Sequence, residues 1–456
     1  MGAAPQTLSI PNLSDSYTER ITQFLGEPSR RNWLAGCARS SALGLFWGIG
    51  DRVVLCPARW IEPLVADLEL ALGQRIAVHR IPEDLALAGD ELDQLARRLR
   101  EFDSGSGFQV TSWSATPRLN RLVSALRDRG VTILGDGCPG SSHWSGEYLN
   151  SKTGLRHLVQ QARLPSGLRL PPGVVCTHLE QAYEAAVSLL RAGHARVLLK
   201  ADRGAGGFGQ LLVHAGVLGW NLRKRDALAR VAPTLAPLLA TSPIVAEAWI
   251  EHGPESYATP SVMLRLGDQG VELIGTAATF MELGTAHAGA VVGTGALPAP
   301  LNGALIELGH ALAEAAQALG YRGPFGVDAV VNPDGELLPL EINARRTMVS
   351  HCYDLLRGVF GGTGAGAVAS CEFIRSRDTE LSSYESVRAK LKELWLRPES
   401  CCGVLISHLQ PASEHDEMIR VSLVAFDNNA ADAAGLLRQA LQILGIAVPL
   451  ALEERA

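Results

Sequence analysis

The chain has 456 residues, of which 47% are hydrophobic and 19% charged; this is enough apolar side chain for two or three domains with large cores and too much for a disordered chain. The formal net charge of -6 speaks against a broad basic face for nucleic acid, while leaving room for a local cationic pocket. Only five of the 41 basic residues are lysines (Lys152, Lys200, Lys224, Lys390 and Lys392), so each raises the question of what a compact ammonium does there that arginine cannot.

Met1 to Pro11 has neither the basic nor the apolar stretch of a signal peptide, and Gln6 departs from the myristoylation pattern. No apolar run approaches the roughly 18 residues of a membrane span. A cytoplasmic protein without membrane or nucleic-acid partners is expected. The eight cysteines form no C-x-x-C pair, and the adjacent Cys401 and Cys402 suit neither a structural disulfide nor zinc, so reduced thiols are expected.

Residues 1–50 read as a mixed helical and irregular lead-in. From Arg52 a regular alternation begins, with strands at 52–56, 75–80, 108–113 and 131–134 and helices at 60–72, 91–102 and 117–129, the last opened by Thr116 and Pro117. Strands alternating with amphipathic helices predict a parallel sheet, hence a Rossmann-like domain over 1–145. A Gly, Ser and Pro-rich linker at 135–146 follows. Thr177 and Glu180 read as a capping box for a helix over 179–192. The pattern then turns to hairpins: strands at 196–200, 211–214, 244–250, 261–266, 271–280, 328–332 and 336–343 give an α+β domain over 146–365. Beyond the glycine-rich connection at 358–367, residues 366–456 read as a small α/β domain with strands at 403–408 and 420–426 and a helix at 431–444.

Two constellations carry chemistry. The first is the run Lys200 to Gln210, K-A-D-R-G-A-G-G-F-G-Q. Gly204, Gly206 and Gly207 let a backbone turn sharply and present N–H groups to phosphate oxygens. Gly204, Gly206 and Gly209 match a dinucleotide fingerprint, but that fingerprint must open a helix, and a strand follows here. No Gly-Lys-Ser/Thr ends the run, so a Walker A loop is excluded. A glycine hairpin over a triphosphate, with Lys200 on the preceding strand, fits best. The second runs from Phe325 to Arg346. A hairpin loop at 333–336 places Asn332 opposite Leu337 and Asp328 opposite Glu341, with Asn343 on the same face as Glu341. Facing carboxylates repel unless a cation lies between them, and oxygen ligands from Asp328, Glu341 and Asn343 suit Mg²⁺. Arg345 follows two residues later, where it can neutralise a phosphoryl group in transfer.

In this order K-A-D-R-G-A-G-G-F-G, E-A-W-I-E-H-G-P-E, F-G-V-D and L-E-I-N-A-R-R resemble the ATP-grasp superfamily across roughly residues 147–360. The whole chain is most similar to the actinobacterial peptide ligases of the pheganomycin type. The resemblance implies a Rossmann-like domain ahead of an ATP-grasp fold, with ATP and Mg²⁺ as cofactors. It puts Lys152 and Lys200 on the nucleotide, Ala248, Trp249 and Ile250 at the adenine with Glu247 beside its amino group, and Glu255 on the ribose. It puts magnesium on Asp328, Glu341 and Asn343. N-A-R-R stands where the family usually reads N-P-R, so either Arg345 or Arg346 is the catalytic arginine.

The implied reaction is attack of a carboxylate on ATP, giving an acyl phosphate that an amine converts to an amide; no side-chain nucleophile is needed. The expected substrates are an amino-acid-like acid and an amine or peptide in natural-product biosynthesis, with a homodimer implied by the same resemblance. A kinase acting on a small acceptor and a non-catalytic nucleotide-binding regulator are the alternatives. His287 reads as a loop residue and is left outside the site.

Overall fold

The computed structural model describes residues 5–18, 26–57, 62–135, 143–162, 168–203, 209–218, 243–253, 259–282, 286–361, 365–397, 399, 401–410 and 418–454. Its strands form three sheets. The first is parallel and four-stranded, built from β1 (Gln6–Ile10), β2 (Arg52–Cys56), β3 (Ile76–Arg80) and β4 (Phe108–Ser112) in the order β3-β2-β1-β4. The helices Gly89–Phe102 and Pro117–Asp128 turn Leu92, Leu95 and Leu99, and Leu119, Leu122 and Leu126, into its core with Leu8, Ile10, Val53 and Val110. The expected alternation is present, with two corrections. The lead-in contains β1, an inner strand of the sheet with all five residues buried. The strand expected at 131–134 is reduced to a single bridge between Phe108 and Ile133.

The second sheet is antiparallel, with β5 (Gly173–Cys176), β6 (Arg196–Ala201), β7 (Gln210–His214) and β8 (Ile244–Ala248) in the order β5-β8-β6-β7. The helix Leu179–Arg191 buries Ala182, Tyr183 and Ala186 against it. The expected Thr177–Glu180 capping box does not form. The cap is one residue later: the His178 ring accepts from the Gln181 N–H at 3.2 Å, and Thr177 donates to the Gln181 side chain instead.

The third sheet is antiparallel and eight-stranded. It comprises β9 (Thr259–Gly267), β10 (Gly270–Glu282), β11 (Ala286–Gly293), β12 (Gly323–Val331), β13 (Leu337–Asn343), β14 (Ala367–Ser376), β15 (Gly403–Gln410) and β16 (Ile419–Asp427), in the order β13-β12-β9-β10-β11-β14-β16-β15. The helix Ala299–Ala318, which the sequence reading passes over, packs Leu305, Leu308 and Leu312 with Val262 and Leu264 of β9. The boundary expected between residues 365 and 366 falls inside this arrangement. Strand β14 hydrogen-bonds to β11, and Val292, Val368, Leu423 and Leu437 share one core. The helix Ser350–Phe360 fills the start of the supposed connection. Among the described residues, no helix is long and apolar enough to cross a membrane.

Candidate functional site

One cleft runs between the second and third sheets, lined among others by Lys200, Glu247, Trp249, Asp328, Glu341 and Arg345. The second-sheet wall is built around a buried carboxylate. Glu247 lies on β8 opposite Leu198 of β6, which carries Lys200 two residues on, on the same face. Lys200 Nζ donates to Glu247 Oε1 at 2.5 Å, and Arg156 Nη2 donates to Oε2 at 2.7 Å. Arg156 was missed in the sequence. Its signal is the i,i+4 spacing from Lys152, which puts both cations on neighbouring turns of the helix Lys152–Gln161.

That helix is pinned to the end of β6. Ser151 caps it, its hydroxyl accepting from the Gly154 N–H at 2.8 Å. Asp202, two residues past Lys200, accepts from the Lys152 N–H on its carbonyl at 2.9 Å and from the Thr153 N–H on its carboxylate at 2.8 Å. A Cβ at Gly154 would lie 2.0 Å from the Tyr148 carbonyl oxygen, so only glycine allows the turn to pack this closely. The first two lysines of the chain are thus set by one strand end.

The third-sheet wall carries the second constellation. Val331 faces Leu337, so the register beside the turn is one residue from the expected Asn332–Leu337 pairing. A bulge between Asp328 and Ala329, with Leu340 as the extra residue, restores the expected partners: Asp328 faces Glu341 and Gly326 faces Asn343. Asn343 Nδ2 lies 2.6 Å from Asp328 Oδ2, and Lys152 Nζ lies 2.5 Å from Glu341 Oε1. Burial, and next the charge of Glu341, push the Asp328 carboxyl up to about 6. Burial also acts on Glu341, but Lys152, Arg345 and Lys200 outweigh it and hold that carboxyl below its usual range. At Asp328 the opposing pull of Ser261, Arg345 and Asn343 only partly offsets burial and the neighbouring charge.

No family model matches the chain. Over 212 residues it is 24% identical to the [butirosin acyl-carrier protein]–L-glutamate ligase of Niallia circulans; the match covers 46% of each, so the chain spans about half the length of that relative. Among solved structures it is similar to N5-carboxyaminoimidazole ribonucleotide synthetase in complex with ADP, with a TM-score of 0.53, 13% identity and 98% of both chains covered. It is also similar to the biotin carboxylase of Campylobacter jejuni in a β,γ-ATP complex, with a TM-score of 0.51, 13% identity, and 96% of this chain and 90% of that one covered. The sheets of this chain match those of both neighbours. The chain has the ATP-grasp fold.

Within this ATP-grasp fold the two candidate arginines part company. Arg345 lines the cleft, its guanidinium 5.0 Å from the Trp113 ring centre. Arg346 points away, donating to Asp354 Oδ2 at 2.8 Å while its backbone N–H donates to the Trp113 carbonyl at 2.8 Å. Ala248, Trp249 and Ile250 line the cleft where β8 ends. The Ala248 and Trp249 N–H groups donate to the carbonyls of Pro172 and Arg196, at 2.8 and 3.1 Å. Gly204, Gly206, Gly207 and Glu255 lie outside the described residues. The two ends of the glycine run are tied together, with the Ala201 N–H donating to the Gly209 carbonyl at 2.7 Å.

The ATP-grasp fold implies magnesium, and the residues present fit it. Two facing carboxylates and an amide offer an oxygen donor set of the kind magnesium takes. Among the described residues no group of three or more His, Cys, Asp or Glu side chains gathers as a metal cage.

Proposed function

We propose that this chain is an ATP-dependent ligase that joins a carboxylate to an amine through an acyl phosphate. The observation that carries the reading is the convergence on one cleft of Lys200, a facing carboxylate pair and Arg345, with Lys152 held against Glu341. In this reading Asp328, Glu341 and Asn343 hold magnesium, which when bound draws charge from the phosphate oxygens. Lys152 and Lys200 bind phosphates, and their positions are set by Glu247, Arg156 and Asp202. Adenine lies against Ala248, Trp249 and Ile250, with the Ile250 N–H as a donor to the ring. The substrate carboxylate oxygen attacks the γ-phosphorus, ADP leaves, and Arg345 stabilises the charge on the transferring group and then on the carbonyl oxygen. Arg346 acts as a structural partner of Asp354.

The finer reading is a peptide or carrier-linked amine acceptor in natural-product biosynthesis. It is supported by the resemblance to peptide ligases and by the carrier protein named in the curated relative's activity. The test is an ADP-release screen of protected amino acids and short acids against amino acids, short peptides and a pantetheine-linked amine, with product mass. ADP release that requires both partners and yields the amide is expected. A phosphorylated acceptor without amide would establish the kinase instead, and nucleotide binding without turnover would establish the regulator. Light scattering of the purified chain checks the homodimer.

A further inference from the structure

A buried polar cluster lies beside the cleft and is unused by the reading above. Glu372 on β14 and His351 on the helix Ser350–Phe360 are almost fully buried, 5% and 1% exposed. His351 Nε2 lies 3.0 Å from Glu372 Oε1, and His351 Nδ1 lies 2.8 Å from the Met348 carbonyl oxygen. Burial disfavours a charge on His351, but Cys352 and Glu372 outweigh it and raise the ring well above its ordinary value, so the close Glu372 contact favours an imidazolium beside a carboxylate. His287 on β11 and His408 on β15 complete the electrostatic neighbourhood of Glu372. Cys352, 3.4 Å from His351 Nε2, and Cys371 on β14, beside Glu372, also belong to this neighbourhood, with Tyr353 near Cys352 and Arg39 and Arg420 acting on His408. His287 differs from the rest: it lines the cleft, and its buried Nε2 has no hydrogen-bond partner.

The backbone is irregular at three of these positions. Bulges fall between Phe280 and Met281 opposite Ala288, between Cys371 and Ile374, and between Ile406 and His408. They sit next to His287, Glu372 and His408 on neighbouring strands of one sheet. A bulge re-aims a side chain at a local cost in pairing, and three together mark a place where side-chain direction matters more than the ladder. At Gly289 a Cβ would stand 2.1 Å from the Ser370 carbonyl oxygen, so glycine lets β11 close onto the strand that bears Glu372.

Resting on the ligase reading, we propose that His287 is the base that takes a proton from the incoming amine, with Glu372 as the buried charge that stabilises the imidazolium formed. Burial holds His287 down to about 4, with Glu372 pulling it up and His351 pushing it down, so it enters the reaction neutral. The amine arrives as an ammonium. One proton passes to His287 Nε2; the free nitrogen attacks the acyl carbon; the C–N bond forms as the C–O bond to phosphate breaks. The second proton leaves with phosphate as hydrogen phosphate, the third remains as the amide N–H, and His287 later returns its proton to water. Glu372 and His351 are positioning residues. His351 neutralises the carboxylate in the resting state, which lets so buried an anion persist.

The test compares hydroxylamine with an amino-acid or peptide amine, using full-length wild-type, His287→Gln and Glu372→Gln protein. Hydroxylamine is already neutral near pH 7 and needs no base. His287→Gln is expected to keep hydroxamate formation within about threefold of wild type while losing amide formation by about 10²-fold or more, as general-base removal does. The amide rate of the variant should recover as the pH rises toward the amine's own pKa. Glu372→Gln should show the same selectivity with a smaller loss. Equal losses with both nucleophiles, or no loss with the amine, would overturn the assignment while leaving the ligase standing. A wild-type enzyme that makes neither product would overturn both. Should the variants misfold, wild-type protein crystallised with a phosphinate analogue of the acid–amine adduct decides the matter. The analogue's amine-derived group is expected within about 3.2 Å of His287 Nε2, and one placed beyond hydrogen-bond reach overturns the proposal.

Discussion

Two acidic sites face each other across the cleft, and they are compensated in different ways. Glu247 on β8 is one carboxylate between two cations, Lys200 and Arg156, with its side chain 6% exposed. Asp328 and Glu341 on β12 and β13 are two facing carboxylates; Lys152 pairs with Glu341, Arg345 acts on both, and the Glu341 side chain is 21% exposed. A satisfied buried cluster fixes its members in place; breaking it leaves an uncompensated charge. In the reading proposed above, the facing pair is where a cation binds. The contrast separates groups that position from groups that bind, although every one of them is a charged side chain on a strand or helix end.

Substitution should expose that difference. Glu341→Gln is expected to cut turnover by about 10³-fold or more, several kcal/mol of transition-state charge stabilisation, while melting stays within a few degrees of wild type. Glu247→Gln should instead lose stability by about 3–5 kcal/mol in denaturant unfolding, because two buried cations lose their partner. If Glu341→Gln keeps full activity, or if both variants behave alike, the distinction collapses. The arginines sharpen it next. Arg345→Ala should lower kcat by about 10²–10³-fold with little change in stability. Arg346→Ala should mainly destabilise, since it leaves Asp354 without its guanidinium.

Much of this was legible in the chain. The hairpin from Asp328 to Asn343 follows from alternation and a Pro-Asp-Gly turn, and even a turn register one residue off gives the right partners, because the bulge at Leu340 cancels the slip. The parallel first domain follows from strand–helix alternation. What stayed hidden had little local signal. β1 is only five residues long and gains its place from pairing with β2 and β4, more than forty residues away. Arg156 reads as an ordinary helix-surface residue until Glu247 appears beside it. His287 sits in a glycine-rich stretch that reads as a loop, and the strand exists because β10 and β14 flank it on either side. That Arg346 is tied to Asp354 while Arg345 lines the cleft was not readable either, since no spacing rule points to Asp354.

Smaller effects test the edges of the cleft. Lys200→Ala is expected to raise the KM for ATP by about 10- to 100-fold through loss of a charged phosphate contact, with a smaller change in kcat; an unchanged KM would move the nucleotide elsewhere. The buried His351–Glu372 pair predicts a pH signature. Burial opposes both charges, yet each is favoured overall: Cys352 and Glu372 raise His351 well above 6.5, and His351 leads the groups that hold Glu372 below 4.5. The raised histidine contributes stability that is complete below about 6.5 and is lost as the pH climbs through its folded value. The lowered glutamate contributes stability present above about 4.5 and lost as the pH falls through its folded value. The stability difference between wild type and Glu372→Gln should therefore be largest between about pH 4.5 and 6.5 and shrink on either side. A difference that is flat with pH in chemical denaturation would contradict the ion pair.

The most direct measurement is the anomalous signal of manganese in crystals grown with ADP. The account predicts a peak held by Asp328, Glu341 and Asn343, with the nucleotide phosphates beside it and Lys200. Manganese bound elsewhere, or an ADP lying away from β6 and β8, would contradict it.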